Sequence, residues 1–179
     1  MAERYEIRFC GSGGQGLILA GVIMAEAAAI YEGKNAIQSQ SYGPEARGGA
    51  SKAELIISDG PIDYPKAQSL DAVLALTQEA ADKYYKDIKP GGVLIIDSDY
   101  VKKPPEGNFR LVKAPFIQTA TTKVGKALVA NIVALGAMAG ITKAVSREAL
   151  EKAVLARVPP GTEDLNKRAL QAGFDLGAQ

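Results

Sequence analysis

Gly11, Gly13 and Gly16 stand in the spacing G-x-G-x-x-G, inside Gly11-Ser-Gly-Gly-Gln-Gly16. Between a strand and a helix, that spacing suits anion binding. Glycines permit the tight turn and let a ligand approach the backbone, while the helix N-terminus offers free N–H groups. A nicotinamide cofactor also wants an acidic residue about 20 residues further on, to hold its ribose. Here the next strand reads Ala36-Ile-Gln-Ser-Gln40, with no carboxylate, and the acid beyond it is Glu45. Three readings stay open: Gly11, Gly13, Gly14, Gln15 and Gly16 contacting an anion or cofactor, glycines used only for close helix packing, and NAD or FAD binding. The missing acid counts against the third.

The second concentration of unusual residues is Ser41-Tyr-Gly-Pro-Glu-Ala-Arg-Gly-Gly49. Arg47 sits among small neighbours, so its guanidinium can reach a phosphate or carboxylate in bidentate fashion. Glu45 can orient that arginine or hold a partner chain's basic group, and Tyr42 belongs to the same loop. The loop follows a strand, and in an open parallel sheet the carboxyl ends of strands face the ligand crevice. It is therefore expected beside the glycine-rich turn. The plainer alternative is an exposed turn whose Glu–Arg pair is incidental and worth little.

What is absent is equally informative. The chain has no histidine and one cysteine, Cys10. The usual general base, any Ser-His or Cys-His pair, a disulfide framework, a zinc cluster and an iron–sulfur cluster are all beyond this chain alone. No residue is assigned a catalytic role and none a metal. Cys10 closes a strand beside a helix start that can lower a thiol pKa, or it is simply a small buried hydrophobe. Thr119 to Lys126 mixes hydroxyls with two lysines at a helix start, to hold phosphate or to face solvent. Of the Tyr84-Tyr85 pair, one ring is expected in the core and one at the surface. Asn131, alone in an apolar helix, wants a partner: the glycine-rich turn, a neighbouring subunit, or its own backbone.

These groups need a scaffold. The 179 residues are a one-domain length, and 47% hydrophobic with 23% charged residues is an ordinary globular balance. Lys+Arg 21 against Asp+Glu 20 leaves +1, so no broad basic field for nucleic acid or anionic membrane exists. The charged start is no signal peptide, and the apolar stretch Ala127 to Ile141 falls short of the ~20 residues a membrane span needs. A cytoplasmic protein is expected. Strands are expected at Tyr5 to Cys10, Asn35 to Gln40, Ser51 to Ser58, Asp71 to Thr77, Val93 to Asp97 and Phe109 to Val112. Helices are expected at Leu17 to Tyr31, ended by Gly33, at Gln78 to Lys86, at Thr121 to Gly140, at Arg147 to Val158 with Ser146 as N-cap, and at Glu163 to Leu176, with Lys89 to Gly92 a turn. Their alternation predicts one α/β domain over 1–179, a three-layer Rossmann-like fold with a mainly parallel sheet.

The two motifs together resemble the gamma subunit of the 2-oxoacid:ferredoxin oxidoreductases. Asn131-Ile-Val-Ala-Leu-Gly136 is similar to that family's matching segment, and the likeness runs from Arg4 to about Phe174. The resemblance implies a multi-subunit enzyme that decarboxylates a 2-oxoacid on thiamine diphosphate. The acyl group goes to coenzyme A, and electrons pass through iron–sulfur clusters to ferredoxin. Within that family Tyr42-Gly-Pro-Glu-Ala-Arg-Gly-Gly49 resembles the 2-oxoglutarate and branched-chain form, which makes 2-oxoglutarate the leading substrate. No Gly-Asp-Gly segment with a following Asn is present to hold a thiamine diphosphate metal ion. Thiamine-binding and ferredoxin-like partner subunits are therefore implied. This chain would contribute to coenzyme A binding, to the active-site wall, or to docking. Isolated, it is expected to be inactive, to expose an apolar patch near the 41–49 loop and the C-terminal helices, and to self-pair into a homodimer. The alternative is a stand-alone nucleotide-binding or sensor domain.

Overall fold

A computed structural model describes residues 4–41 and 50–179. Six strands form one sheet: β1 (Arg4–Ser12), β2 (Asn35–Ser41), β3 (Ala50–Ser58), β4 (Leu70–Ala75), β5 (Ile88–Asp97) and β6 (Phe109–Ala114). Their spatial order is β2-β3-β1-β4-β5-β6. β1, β4, β5 and β6 pair in parallel, and β3 runs against both its neighbours, β1 and β2. β3 alone therefore opposes the common direction, and the sheet is mainly parallel as the alternation of elements predicts.

Strand alternation sends successive side chains to opposite faces. On one face Ile7, Phe9, Leu74 and Ile95 meet α1 (Leu17–Tyr31), α4 (Ala130–Thr142), α5 (Arg147–Arg157) and α6 (Glu163–Gly177). On the other, Cys10, Val73, Ala75, Leu94 and Ile96 meet the short α2 (Gln78–Tyr84). The three layers are thus unequal. Both α1 and α4 are apolar around most of their circumference, as helices enclosed by other elements must be. Residues 130 to 139 of α4 are buried without a break. Among the described residues no helix is long and apolar enough to cross a membrane.

α1 occupies the bounds expected of it. α5 starts from Ser146, whose hydroxyl accepts from Ala149 N at 3.1 Å, the N-cap arrangement expected of a serine there. Two expectations fail. Thr121 to Gly140 is not one helix but α3 (Phe116–Thr119), a π-helical turn at 120–124, a 3₁₀ turn at 127–129, and α4. Gly125 breaks it, with φ +99°, a conformation that a continuing helix cannot contain. Lys89 to Gly92 is not a turn behind α2 but part of β5. It bulges out where the β4 register passes from Leu70 opposite Ile88 to Ala72 opposite Val93. Tyr84 is the core ring of its pair, whereas Tyr85 is half-buried and stacks on Phe109 with centroids 6.4 Å apart.

Candidate functional site

The glycine-rich turn starts at the carboxyl end of β1 and finishes at the start of α1. Gln15 folds back so that its Oε1 accepts from Ser12 N at 2.8 Å. A Cβ on Gly11 would run into that same Oε1 and lie 2.6 Å from Leu17 Cδ1, so Gly11 closes the turn by packing. Gly16 is the N-cap of α1 with φ +73°, and a Cβ there would come within 2.6 Å of Asn131 Nδ2. It is glycine for both backbone and space. No side chain caps α1 and no acid stands in its first turn, so the helix dipole and the free N–H groups are available to an anion.

The sheet register decides what surrounds the turn. β2 runs parallel to β1, and Ser41 pairs with Lys52 while Ser12 pairs with Ala50. Ser41 and Ala50, the described residues on either side of 42–49, therefore both stand at the end of the sheet where the turn opens. Tyr42, Glu45 and Arg47 lie outside the described residues.

Opposite the turn stands a wall that sequence reasoning missed. Asp97, the last residue of β5, is wholly buried. Its Oδ1 accepts from Asp99 N at 2.9 Å and Tyr100 N at 3.3 Å, and its Oδ2 from Ile117 N at 3.1 Å. It thereby ties α3 to the sheet, and the irregular segment beyond α3 carries Leu128 into solvent, 79% exposed. Between turn and wall lies a hollow of about 140 Å³, bordered by Gly14, Gln15, Ile117 and Asn131. Beside it an apolar groove of about 310 Å³ runs between Gly14, Leu19, Leu128 and Ile132 and the residues Val158 and Leu165. Lys126 borders the groove as well. The signal for Asp97 was present in the sequence, as the one acid closing the apolar run Val93-Leu-Ile-Ile96. Leu128 carried none, because its exposure follows from the helix break.

The hydroxyls of Thr121 and Thr122, expected to hold phosphate or to face solvent, are on exposed residues and bond back to their own backbone segment. Thr121 Oγ1 donates to Ile117 O at 2.9 Å and Thr122 Oγ1 to Gln118 O at 2.8 Å, within their own helix. Asn131 takes the first of its expected partners: Nδ2 donates to Gly16 O at 3.2 Å.

On the opposite face Arg8 is buried beneath Tyr84, its guanidinium carbon 5.2 Å from the ring centroid. It donates to Glu54 Oε2 at 2.8 Å from Nε and to Asp87 Oδ2 at 2.6 Å from Nη1. Burial alone would lower its pKa, but the bonds and charges of Asp87 and Glu54 more than offset this and raise it. Arg8 therefore stays charged and structural. Cys10 is fully buried, and burial pushes its thiol up to about 12. The reading as a small hydrophobe holds, because so little thiolate forms at neutral pH. Native protein is expected to resist alkylation at pH 8 and to react once unfolded, with free thiol counted by mass spectrometry. The raised pKa means that the folded state holds its proton more tightly. This contribution to stability is complete below the ordinary value of 9.0 and declines as pH rises from there towards about 12. Rapid labelling of the native protein would contradict this. Among the described residues no group of three or more His, Cys, Asp or Glu is placed to hold a metal.

Residues 6–176 match the pyruvate ferredoxin/flavodoxin oxidoreductase family. The chain belongs to that family. Over 178 residues it is 51% identical to the 2-oxoglutarate synthase subunit KorC of Methanocaldococcus jannaschii, covering 98% of this chain and 95% of that one. A keto/oxoacid ferredoxin oxidoreductase gamma subunit from Geobacter sulfurreducens, solved by crystallography, is 62% identical. It superposes with a TM-score of 0.92 over 98% of this chain and 97% of its own. Pyruvate oxidoreductase subunit PORC of Thermotoga maritima, at 26% identity, has a TM-score of 0.81 over 97% and 96%. The three-layer α/β fold is thus one that these oxidoreductase subunits share.

Proposed function

We propose that this chain is the gamma subunit of a multi-subunit 2-oxoglutarate:ferredoxin oxidoreductase, which oxidatively decarboxylates the 2-oxoacid to its acyl-coenzyme A and passes the electrons to ferredoxin. The observation that carries the substrate is a gap in identity. Proteins named 2-oxoglutarate synthase subunit KorC are 51%, 50% and 49% identical over at least 97% of this chain. A ketoisovalerate oxidoreductase subunit is 32% identical and a pyruvate synthase subunit 31%.

A single, buried Cys10 does not fit an iron–sulfur cluster, and the sequence has no Gly-Asp-Gly segment with a following Asn to hold the metal ion of thiamine diphosphate. Those groups belong on partner subunits, thiamine-binding and ferredoxin-like. The chemistry left to this chain is anion binding. The N–H groups of Gly13 to Gly16 and the guanidinium of Arg47 take a phosphate of coenzyme A or the carboxylate of the 2-oxoacid, with Gly11, Gly14, Gln15, Tyr42 and Glu45 shaping the site. The apolar groove beside Leu128 supports docking of partner subunits near the C-terminal helices, and in the isolated chain it supports a homodimer.

Arg47→Ala in the reconstituted complex is expected to remove a charge-assisted pair worth roughly 1.5–3 kcal/mol. That weakens coenzyme A or 2-oxoacid use by about 10- to 150-fold. Arg47→Lys should recover part, lacking the planar fork. Unchanged Michaelis constants for both substrates in an intact Arg47→Ala complex would overturn the anion site. If Glu45→Gln is equally damaging and both variants loosen the complex, the loop is a docking element instead. Capture of the tagged chain from its native cell without thiamine- and cluster-bearing partners would overturn the assignment as a subunit.

A further inference from the structure

We propose that Asn131 is a positioning residue of the glycine-rich turn, aiming the Leu17 N–H towards the bound anion; this rests on the coenzyme A reading above. Asn131 is 7% exposed near the start of α4 and lies 115 positions from its partner, Gly16. Its neighbours in α4 are apolar and equally buried, so filling this space needs no amide. What the amide adds is direction.

The Gly16 carbonyl accepts twice, from Ala20 N at 3.1 Å and from Asn131 Nδ2 at 3.2 Å. In a planar trans peptide the C=O and the following N–H point in opposite directions. Holding the Gly16 oxygen back towards α1 and α4 therefore turns the Leu17 N–H outwards, beyond the helix start. As the first residue of α1, Leu17 has no earlier carbonyl of the helix to donate to. A second bond on the carbonyl also polarises the peptide and makes that N–H a stronger donor. The amide is seated as well as bonded, because the room where Gly16 would carry a Cβ is filled by Asn131 Nδ2, Cγ and Cβ. Asn131 also borders both hollows that flank the turn, so it links the wall to the anion site.

The test uses the assembled enzyme with coenzyme A as probe. Asn131→Leu keeps the branching and the number of heavy atoms and removes the donor. Asn131→Asp keeps the shape, cannot donate when ionised, and sets a negative charge beside the site. The coenzyme A dissociation constant is expected to rise roughly 3- to 10-fold for Asn131→Leu and further for Asn131→Asp. A purely structural role would not single out one ligand, so the Michaelis constant for the 2-oxoacid and the unfolding midpoint should stay near those of the parent. Hydrogen exchange over residues 13–20 is read in the same complexes. Coenzyme A should protect this segment in the parent and protect it less in the variants. A parent segment that coenzyme A leaves unprotected would refute the coenzyme A reading of the anion site and this proposal with it. Equal protection and equal dissociation constants in parent and variants would refute the role of Asn131 alone. Should Asn131→Leu fail to assemble, Asn131→Asp carries the comparison.

Discussion

Asp97→Ala is expected to lower unfolding stability by about 3–5 kcal/mol, since hydrogen bonds to a charged acceptor contribute about 1.5–3 kcal/mol each. Asp97 is wholly buried and receives three backbone N–H groups, from Asp99, Tyr100 and Ile117. Asp99 and Tyr100 are exposed, so water replaces part of what they lose. Ile117 opens the wall of the site, and its N–H loses the acceptor that anchors α3 to β5. Asp97→Asn separates shape from charge. The amide can keep one acceptor for the turn at Asp99, but it must then present N–H groups to the Ile117 N–H, and roughly half the loss is expected. Urea unfolding of the purified chain measures both. A loss below about 1 kcal/mol for Asp97→Ala would show that the three bonds are replaceable by water.

Gly173→Ala is expected to destabilise by about 3 kcal/mol or more, at or above the upper end of ordinary overpacking. α4 and α6 cross closely, and a Cβ on Gly173 would run into the Val133 carbonyl oxygen. It would also lie 2.9 Å from Ala137 N and 3.0 Å from Gly136 Cα. All three obstacles are backbone, so no side chain can swing aside. Gly140 provides the contrast on the same crossing, since a Cβ there meets nothing nearer than Gly177 Cα at 3.7 Å. Gly140→Ala should be neutral or should gain up to about 1 kcal/mol of helix propensity. Thermal and urea unfolding of the two variants side by side decides the matter. Equal effects would mean that the helices slide apart at little cost.

The sequence alone was enough for features set by local conformation. Gly16 and Gly33, with φ +73° and +67°, bracket α1, and glycine tolerates that backbone on either side of a helix at no steric penalty. Ser146 marked the start of α5 for an equally local reason, a hydroxyl able to satisfy a first-turn N–H. The spacing of Gly11, Gly13 and Gly16 announced the turn, and the lack of histidine with a single cysteine pointed away from histidine-based catalysis and from a cluster held by this chain alone.

Only the tertiary structure could decide the rest, because each remaining feature depends on residues far apart in the chain. The apolar run from 127 to 141 reads as the interior of one helix; where it breaks depends on the left-handed Gly125 and on the anchoring of α3 by Asp97, 20 positions from Ile117. Lys89-Pro-Gly-Gly92 has the composition of a turn, yet the pairing of β5 with β4 absorbs it as a bulge. Ser41 and Ala50 reach the end of the sheet where the glycine-rich turn opens only because β3 reverses direction and returns β2 to the sense of β1. Asn131 finds Gly16 across 115 residues for the same reason: spacing along a chain reports local geometry, whereas the meeting of two distant segments is set by how the faces of the sheet are packed.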